Sequence, residues 1–456
     1  MSPSVQKYVT GALLLLAARI GQGQDALPVA SPDPQIAATL TQVSAEHIRA
    51  NIEKLVSFQT RLTLSPQDTD SLAAGHGIGA ARNWIKSEFE RYSRDCGGCL
   101  EVKEDSFVEQ PADRIPKPTT ITNVYAVLKG TQDPKRIVLV TGHYDSRNSD
   151  TFDVAGAAPG ANDDASGTAV SLECARALSK LKFPATIIFL TVAGEEQGLN
   201  GSHHFAQMAK TEGWNIEAVL NNDIVGGDRS PGQNTGVVRV FSEGLPVAAT
   251  EAQTRMIRGL GGESDSISRE LARYAAETGR TYKTAVKPLL VFRLDRYLRG
   301  GDHYSFNEQG YAAVRFTEFH EDFNHQHQNV RTENGVEYGD LPKFVDFDYV
   351  ANVARLNAAT LASLASAPAP PTKVRILTKN LQNDSTLTWE APPDGLARAY
   401  EVLWRDTASP EWEHVQTVGN VTKATLPVSK DNVIFAIRAV DDNGHRSLPV
   451  VPMPER

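Results

Sequence analysis

The chain has little of what would mark several common classes. It carries 46 lysines and arginines against 55 aspartates and glutamates, a formal charge of -9 over 456 residues. A surface that tracks phosphates needs a basic patch or stripe, so nucleic acid is not an expected partner. Long hydrophobic runs are also missing. The longest at the N-terminus, from about Val9 to Ala18, falls short of the roughly 20 residues that cross a bilayer. Preceded by Lys7 and followed by small and polar residues, it reads as a cleaved secretory signal assigned to residues 1–24; Arg19 interrupts the run, and an uncleaved anchor is the alternative. No later segment looks transmembrane, so a secreted protein, periplasmic or extracellular, without a membrane span after cleavage is expected.

Cysteines number only three. Cys96 and Cys99 in DCGGCL flank two glycines whose turn lets the thiols pair in an oxidising compartment. One CxxC supplies two ligands, and no second pair completes a zinc site from sulfur. Cys174, on an apolar helical face in SLECARAL, reads as a core residue.

With 41% hydrophobic and 22% charged residues the composition is globular, and the length suggests two or three domains. From ITNVYAVLKG onward, apolar strands (RIVLVTGHYDS, ATIIFLTVAG, AVLNNDIVG, GVVRVFS, AAVRFTE) alternate with helical patterns such as ASGTAVSLECARALSKL and FDYVANVARLNAATLASLA. Continuous apolar strands separated by helices predict an α/β fold with a mixed, mostly parallel sheet flanked by helices on both faces. This unit is assigned to residues 37–365. A Pro/Ala linker at 366–372 then leads into short alternating strands at 373–456, which predict a small C-terminal β-sandwich. Through Trp389, Tyr400, Trp404 and the IFAIRAVDDNG strand, this tail resembles a fibronectin type III domain.

In such sheets ligands lie at the carboxyl ends of the strands. Four polar clusters fall there. TGHYDS supplies His143 and Asp145, near enough for the carboxylate to accept the far N–H of a metal-bound imidazole, although a strand-end histidine beside a solvated aspartate reads the same. PGANDDASG supplies Asp163 and Asp164 at a helix start, where an acid commonly serves only as a cap. GEEQG places Glu195 and Glu196 side by side at the end of IIFLTV; like charges and desolvation both penalise ionisation there, so a counter-charge is required. NNDIVG adds Asp223. One imidazole with several carboxylates suits zinc, and a carboxylate shared between two cations about 3.5–4 Å apart is a recurring arrangement.

The ordered series GHYDS, PGANDDASG, GEEQGLNGS and NND resembles the dizinc aminopeptidase family, which includes bacterial leucyl aminopeptidases, glutamate carboxypeptidases and, more distantly, glutaminyl cyclases. The resemblance implies two Zn2+ per chain. His143 and Asp223 would hold one, Glu196 and a late histidine the other, and Asp163 would bridge both. Glu195 would be the general base that takes a proton from the attacking water, and Asp145 would orient His143. For the late histidine, FHEDFNHQHQ offers His320, His325 and His327; His327 is the choice and His325 the second candidate. Peptides are the implied substrates and aminopeptidase action the implied activity.

Arg293, Arg296 and Arg299 in FRLDRYLRGGDH keep a carboxypeptidase open, since a basic pocket captures a terminal carboxylate, although solvated helix arginines read the same. A glutaminyl cyclase, or an inert binding protein whose sandwich does the work, are the further alternatives. His303 reads as a pocket wall residue, His203 and His204 as surface or second-layer residues, and His76 and His445 have no visible partner. Asn383 and Asn420 stand in glycosylation sequons. The sandwich contacts a surface or polymer in this reading, or shields the enzyme.

Overall fold

The computed structural model describes residue 27 and residues 29–455. The signal expected at 1–24 lies outside the described residues. Eight strands form the main sheet: β1 (Leu100–Glu109), β2 (Thr119–Leu128), β3 (Asp133–His143), β4 (Ala185–Val192), β5 (Asn215–Asn222), β6 (Val237–Ser242), β7 (Lys287–Val291) and β8 (Ala313–Glu318). Their order is β1-β2-β4-β3-β5-β8-β6-β7. The central run β4-β3-β5-β8 is parallel throughout, β6 and β7 are parallel to each other, and the pairs β1/β2, β2/β4 and β6/β8 are antiparallel.

The apolar runs account for this arrangement. All eight residues of β4, ATIIFLTV, are buried, because a strand covered on both faces has no solvent side. Along β3, Val138 and Val140 enter one hydrophobic cluster and Ile137 and Leu139 another, as a period of two requires. The helices are α1 (Pro34–Leu40), α2 (Ala45–Val56), α3 (Thr69–Ala74), α4 (Gly77–Asp95), α5 (Ala165–Leu178), α6 (Asn200–Thr211), α7 (Glu251–Leu260), α8 (Ile267–Thr281), α9 (Asp302–Glu308) and α10 (Phe347–Ser366). Residues of α2, α4, α5, α8 and α10 pack in the first cluster, and Phe205 of α6 and Phe306 of α9 in the second. Truncating a core ring such as Phe189 to alanine would cost about 3–5 kcal/mol.

Strand β1 does not appear in the sequence pattern. LEVKEDSFVE is polar because it lies on the outer edge of the sheet, paired only with β2, and has a solvent side along most of its length. The other edge strand, β7, is partly exposed for the same reason.

Strands β9 (Arg331–Glu333) and β10 (Val336–Tyr338) form a small hairpin after β8. Helix α10 runs to Ser366, and the Pro/Ala stretch is not free chain: Ala367 is buried and its carbonyl accepts from Arg136. The C-terminal strands are β11 (Thr372–Leu377), β12 (Ser385–Glu390), β13 (Ala399–Asp406), β14 (His414–Thr417), β15 (Lys423–Leu426), β16 (Val433–Val440) and β17 (Met453–Glu455). They make a four-stranded sheet, β15-β12-β11-β17, and a three-stranded one, β14-β13-β16. Leu387 and Trp389 from the first meet Tyr400, Val402 and Ile437 from the second in one shared core.

The two C-terminal sheets sit against α8. Trp412 Nε1 donates to Glu270 Oε2 at 2.8 Å, Arg273 Nε to the Pro410 carbonyl at 2.7 Å, and Arg438 to Glu277 at 2.7 Å. Cys96 and Cys99 form a disulfide, and Cys174 is buried and free.

Candidate metal centre

Four parallel strands deliver the polar clusters to one end of the sheet. β3 ends on His143, Glu195 and Glu196 follow β4, Asp223 follows β5, and the loop after β8 carries His327. Asp163 approaches from the segment leading into α5, whose N-cap is Asp164. Close packing of α5 depends on glycine: a Cβ on Gly142 would stand 2.4 Å from the Gly167 backbone, and one on Gly167 would stand 2.1 Å from the Asn222 carbonyl oxygen.

Asp163 is the centre of the arrangement. Its Oδ1 lies 3.1 Å from His143 Nε2 and its Oδ2 lies 2.8 Å from His327 Nε2. Glu196 Oε1 is 3.0 Å from the same His327 nitrogen, and Asp223 Oδ1 is 3.9 Å from His143 Nε2. Donor atoms about 2.1 Å from a tetrahedral zinc are about 3.4 Å apart, and these separations bracket that value. Among the described residues, His143, Glu195 and Asp223 form one group of ligand-type atoms, and Asp163, Glu196 and His327 another. His325 joins neither; it pairs with Asp228 at 2.6 Å.

The electrostatics fit a missing positive charge. His143 Nε2 is buried and makes no hydrogen bond of acceptable geometry. Burial opposes a charge on His143, yet Glu195, Asp164, Asp145 and Asp163 around it raise its pKa well above the ordinary value. His327 is also opposed by burial, but Glu196 and Asp163 push it up to about 10. Burial raises Glu195 well above the usual carboxylate range, with Asp223, Glu196 and Asp302 adding to the effect against His143. So many carboxylates gather around these two imidazoles that the cluster calls for added positive charge. The donor set, the separations and the orphaned nitrogen all suit bound zinc.

The backbone under the site is held by Asp145. Its Oδ1 accepts from the Glu195 N–H at 3.3 Å, and its Oδ2 from the Glu196 N–H at 3.2 Å and from Thr63 Oγ1 at 2.9 Å. Toward His143 it presents both its carbonyl oxygen, 3.1 Å from Nδ1, and Oδ1 at 3.4 Å. Leu199, Ile224 and His327, all lining the cleft, have φ of 63°, 59° and 55°. For side chains that rarely adopt the left-handed region, this is strain concentrated where the site is built.

Sequence reasoning passed over several site residues. Arg147 Nε donates to Glu196 Oε2 at 2.8 Å; nothing in DSRN distinguishes it from a surface arginine. Arg315, fully buried, lies 2.9 Å from Asp223 and 3.3 Å from Asp295, and with their help holds its charge despite burial. The clue there was a charged residue inside the apolar strand AAVRFTE. Asp302, fully buried with no hydrogen bond to either oxygen, is pushed up to about 7 by burial, against the pull of His143.

The other singled-out residues lie elsewhere. His303 is fully buried, with Nε2 2.9 Å from the Leu294 carbonyl, and is not among the side chains lining the cleft. His203 pairs with Glu308, His204 with Asp105, and His445 with Asp441 and Asp33. Arg293 stacks on Tyr297, whereas Arg296 and Arg299 reach the cleft and both hold Glu321, at 2.8 and 2.9 Å. The cleft encloses about 600 Å³, and no residue of the C-terminal sheets lines it. Leu199, Leu298 and Phe323 give it an apolar side. Among the described residues, no helix is long and apolar enough to cross a membrane.

Comparison with known proteins agrees with this geometry. Residues 123–341, which hold every residue of the two ligand groups, match Peptidase family M28. A probable zinc metalloprotease of Pyrenophora teres f. teres is 48% identical over 428 residues, covering 93% of this chain and 88% of its own. A second, of Leptosphaeria maculans, is 47% identical over 429 residues, covering 93% of this chain and 98% of its own. Among solved structures, LapB of Legionella pneumophila has a TM-score of 0.52 at 18% identity, over 74% of this chain and 76% of that one. The LapA aminopeptidase of the same species has a TM-score of 0.50 at 20% identity, over 73% and 75%. At those identities the likeness shows the shared mixed α/β fold. The extent of the match to the two fungal relatives shows more: the chain belongs to peptidase family M28.

Proposed function

We propose that the chain is a secreted zinc exopeptidase that removes N-terminal residues from peptides, with two zinc ions per chain. The observation that carries this reading is the Asp163 carboxylate, one oxygen toward His143 and the other toward His327. His143, Asp163 and Asp223 would hold one zinc, and Asp163, Glu196 and His327 the other. Zinc supplies Lewis acidity toward a peptide carbonyl and lowers the pKa of a water to about 7.

The chain's own groups do the rest. Glu195 faces the cleft with its proton affinity raised, so its carboxylate takes the proton of the attacking water and returns it to the leaving amine. Asp145 fixes the backbone of both glutamates, which keeps Glu195 turned to substrate and Glu196 turned to His327. The apolar side made by Leu199, Leu298 and Phe323 receives a side chain and displaces water. The carboxylates facing the cleft favour a free α-amine, which supports aminopeptidase over carboxypeptidase action.

The second reading is a carboxypeptidase, favoured by Arg114, Arg147, Arg296 and Arg299 in the cleft lining. Against it, Arg296 and Arg299 share Glu321, Arg147 is engaged by Glu196, and Arg114 donates to the Glu196 carbonyl. Secretion is supported by the Cys96–Cys99 disulfide. The C-terminal sheets are, in this proposal, a fibronectin type III-like domain that braces α8 and leaves its outer surface for contact with a surface or polymer.

The deciding experiment measures amino-acid release from a free-amine peptide, its N-acetylated twin and its C-terminally amidated twin. The protein is assayed as purified, after chelation and after restoration with zinc. Cleavage of the free and amidated peptides but not the acetylated one, lost on chelation and regained with zinc, is the expected result. Loss of cleavage on amidation would move the assignment to a carboxypeptidase. Ring closure of an N-terminal glutamine without hydrolysis would move it to a cyclase.

A further inference from the structure

The segments after β5 and β8 carry a further set of ligand-type side chains that the peptidase reading leaves unused. Asp228, Asp322 and His325 each offer a donor atom, and the three atoms lie within 4.8 Å of one another. They border an enclosed cavity of about 10 Å³, room for a single ion or water.

Two independent features show that this is more than a cluster of acids. Asp228 is 2% exposed, and while its Oδ2 takes His325 Nδ1 at 2.6 Å, its Oδ1 has no hydrogen-bond partner. Gln326 is 8% exposed, uses its Nε2 on Asp163 Oδ2 at 2.9 Å, and leaves Oε1 without a partner beside the same cavity. Both are acceptor oxygens removed from water, where leaving an acceptor unmet is unfavourable. The cavity's charged walls are carboxylates and one imidazole, and among the described residues no lysine or arginine lines it. A proton donor or a cation is what such a cavity lacks.

We propose that Asp228, Asp322 and His325 bind a further divalent cation, separate from the centre built on Asp163. Two carboxylates and an imidazole suit zinc or manganese better than calcium or magnesium, which prefer oxygen alone. The His325 ring is already oriented by stacking on Phe344, with centroids 3.7 Å apart and planes 13° from parallel. Donors around a zinc at about 2.1 Å stand about 3.4 Å apart, so binding draws the three side chains slightly together. The cation has a structural role. Asp228 follows Asp223 by five residues, and His325 precedes His327 by two. One ion therefore ties the segment after β5 to the segment after β8, and so fixes two loops that each supply a donor to the other centre.

The test is a metal count on the full chain, equilibrated with Zn2+, dialysed and measured by mass spectrometry, for the wild type, Asp322→Asn and Asp163→Asn. Asp322 is partly exposed, its carbonyl accepts from the His325 and Gln326 N–H groups whatever its side chain, and its carboxylate accepts from the Asn324 N–H at 2.9 Å, which the asparagine oxygen can still accept. The variant therefore keeps the fold. Asp322→Asn should hold one zinc fewer than the wild type, and Asp163→Asn should keep the equivalent that Asp322→Asn loses. If the wild type and Asp322→Asn hold the same number, His325 and Asp228 are an ion pair only and the proposal is overturned. Failure of the Asp163 centre would leave the difference between the wild type and Asp322→Asn in place, so the two readings fail separately.

Discussion

Arg147 Nε donates to Glu196 Oε2 at 2.8 Å, so one oxygen of this glutamate is held by a guanidinium while the other lies 3.0 Å from His327 Nε2. The guanidinium thereby selects which oxygen of Glu196 is available to a cation. Removing such an outer partner of a ligand typically costs about 10–100-fold in metal affinity or activity. Arg147→Ala should weaken zinc retention against a competing chelator by that amount. Arg147→Lys should recover only part, because an ammonium lacks the planar fork. Unchanged zinc affinity in Arg147→Ala would make the arginine a wall of the cleft and nothing more.

Glu195 is next to Glu196 in sequence and differs from it in surroundings. Among the described residues no side-chain hydrogen bond engages its carboxylate, and burial with its acidic neighbours raises its pKa. A group in that position suits the base of the proposed reaction, although its oxygen also lies within the group formed with His143 and Asp223. Glu195→Gln should lower kcat by about 100-fold or more while zinc content stays at the wild-type level. A zinc-depleted variant would instead identify Glu195 as a ligand.

Much of this arrangement was legible in the sequence, for a physical reason. Strands buried on both faces must be continuous runs of apolar residues, so RIVLVTGH and ATIIFLTV announced themselves, and the acids at their ends had no structural use there. The edges of the sheet were not legible. β1 is half solvated, and its charged sequence looks like a loop until the pairing with β2 is seen. Arg147 and Arg315 were not legible either, because an arginine's role depends on what a loop or neighbouring strand brings to it. His325 and His327 are two residues apart in one loop; only the backbone turn at His327, with φ of 55°, sends one toward Glu196 and leaves the other on Asp228.

Arg315 is the counter-charge beneath the site. It is fully buried between Asp223 and Asp295, and its pairing lowers the pKa of both acids against their burial. Arg315→Met would leave Asp223 buried without its guanidinium and Asp295 with Arg296 alone. Loss of one partner of a buried pair costs about 3–5 kcal/mol, and urea unfolding should show a loss of that size. Adding Asp295→Asn to the variant should recover part of it, since one of the two buried charges that lost a partner is then gone. A loss below about 1 kcal/mol would show that water or a rearranged loop reaches the acids.

The C-terminal sheets pack on α8 and do not reach the cleft. Trp412 is 3% exposed and hydrogen-bonded to the buried Glu270 on α8, while no residue of these sheets lines the cleft. Trp412→Ala should cost about 3–5 kcal/mol in unfolding free energy. KM and kcat for a small peptide, measured well below the unfolding temperature, should stay within about twofold of the wild type, in keeping with an interaction far from the reacting groups. A selective change in KM would reveal a route from α8 to the cleft that the contacts do not contain.

His445 makes the N-terminal segment and the last sheet depend on pH together. Its Nδ1 is 2.9 Å from Asp441 and its Nε2 is 3.2 Å from Asp33. Burial disfavours the imidazolium, but the two carboxylates win and raise its pKa above 6.5. A raised histidine contributes its stability in full below its unfolded pKa of about 6.5 and loses it as pH rises through the higher folded value. Asp441 is opposed by burial and lowered by His445, so its share is present above its unfolded pKa of about 3.9 and is lost as pH falls through the lower folded value. Both shares are complete between those two unfolded values. Unfolding free energy should therefore fall from pH 6.5 upward, and His445→Gln should flatten that limb while leaving the limb below pH 3.9 reduced to what other carboxylates supply. Equal slopes above pH 6.5 in the wild type and His445→Gln would assign the alkaline loss to another group.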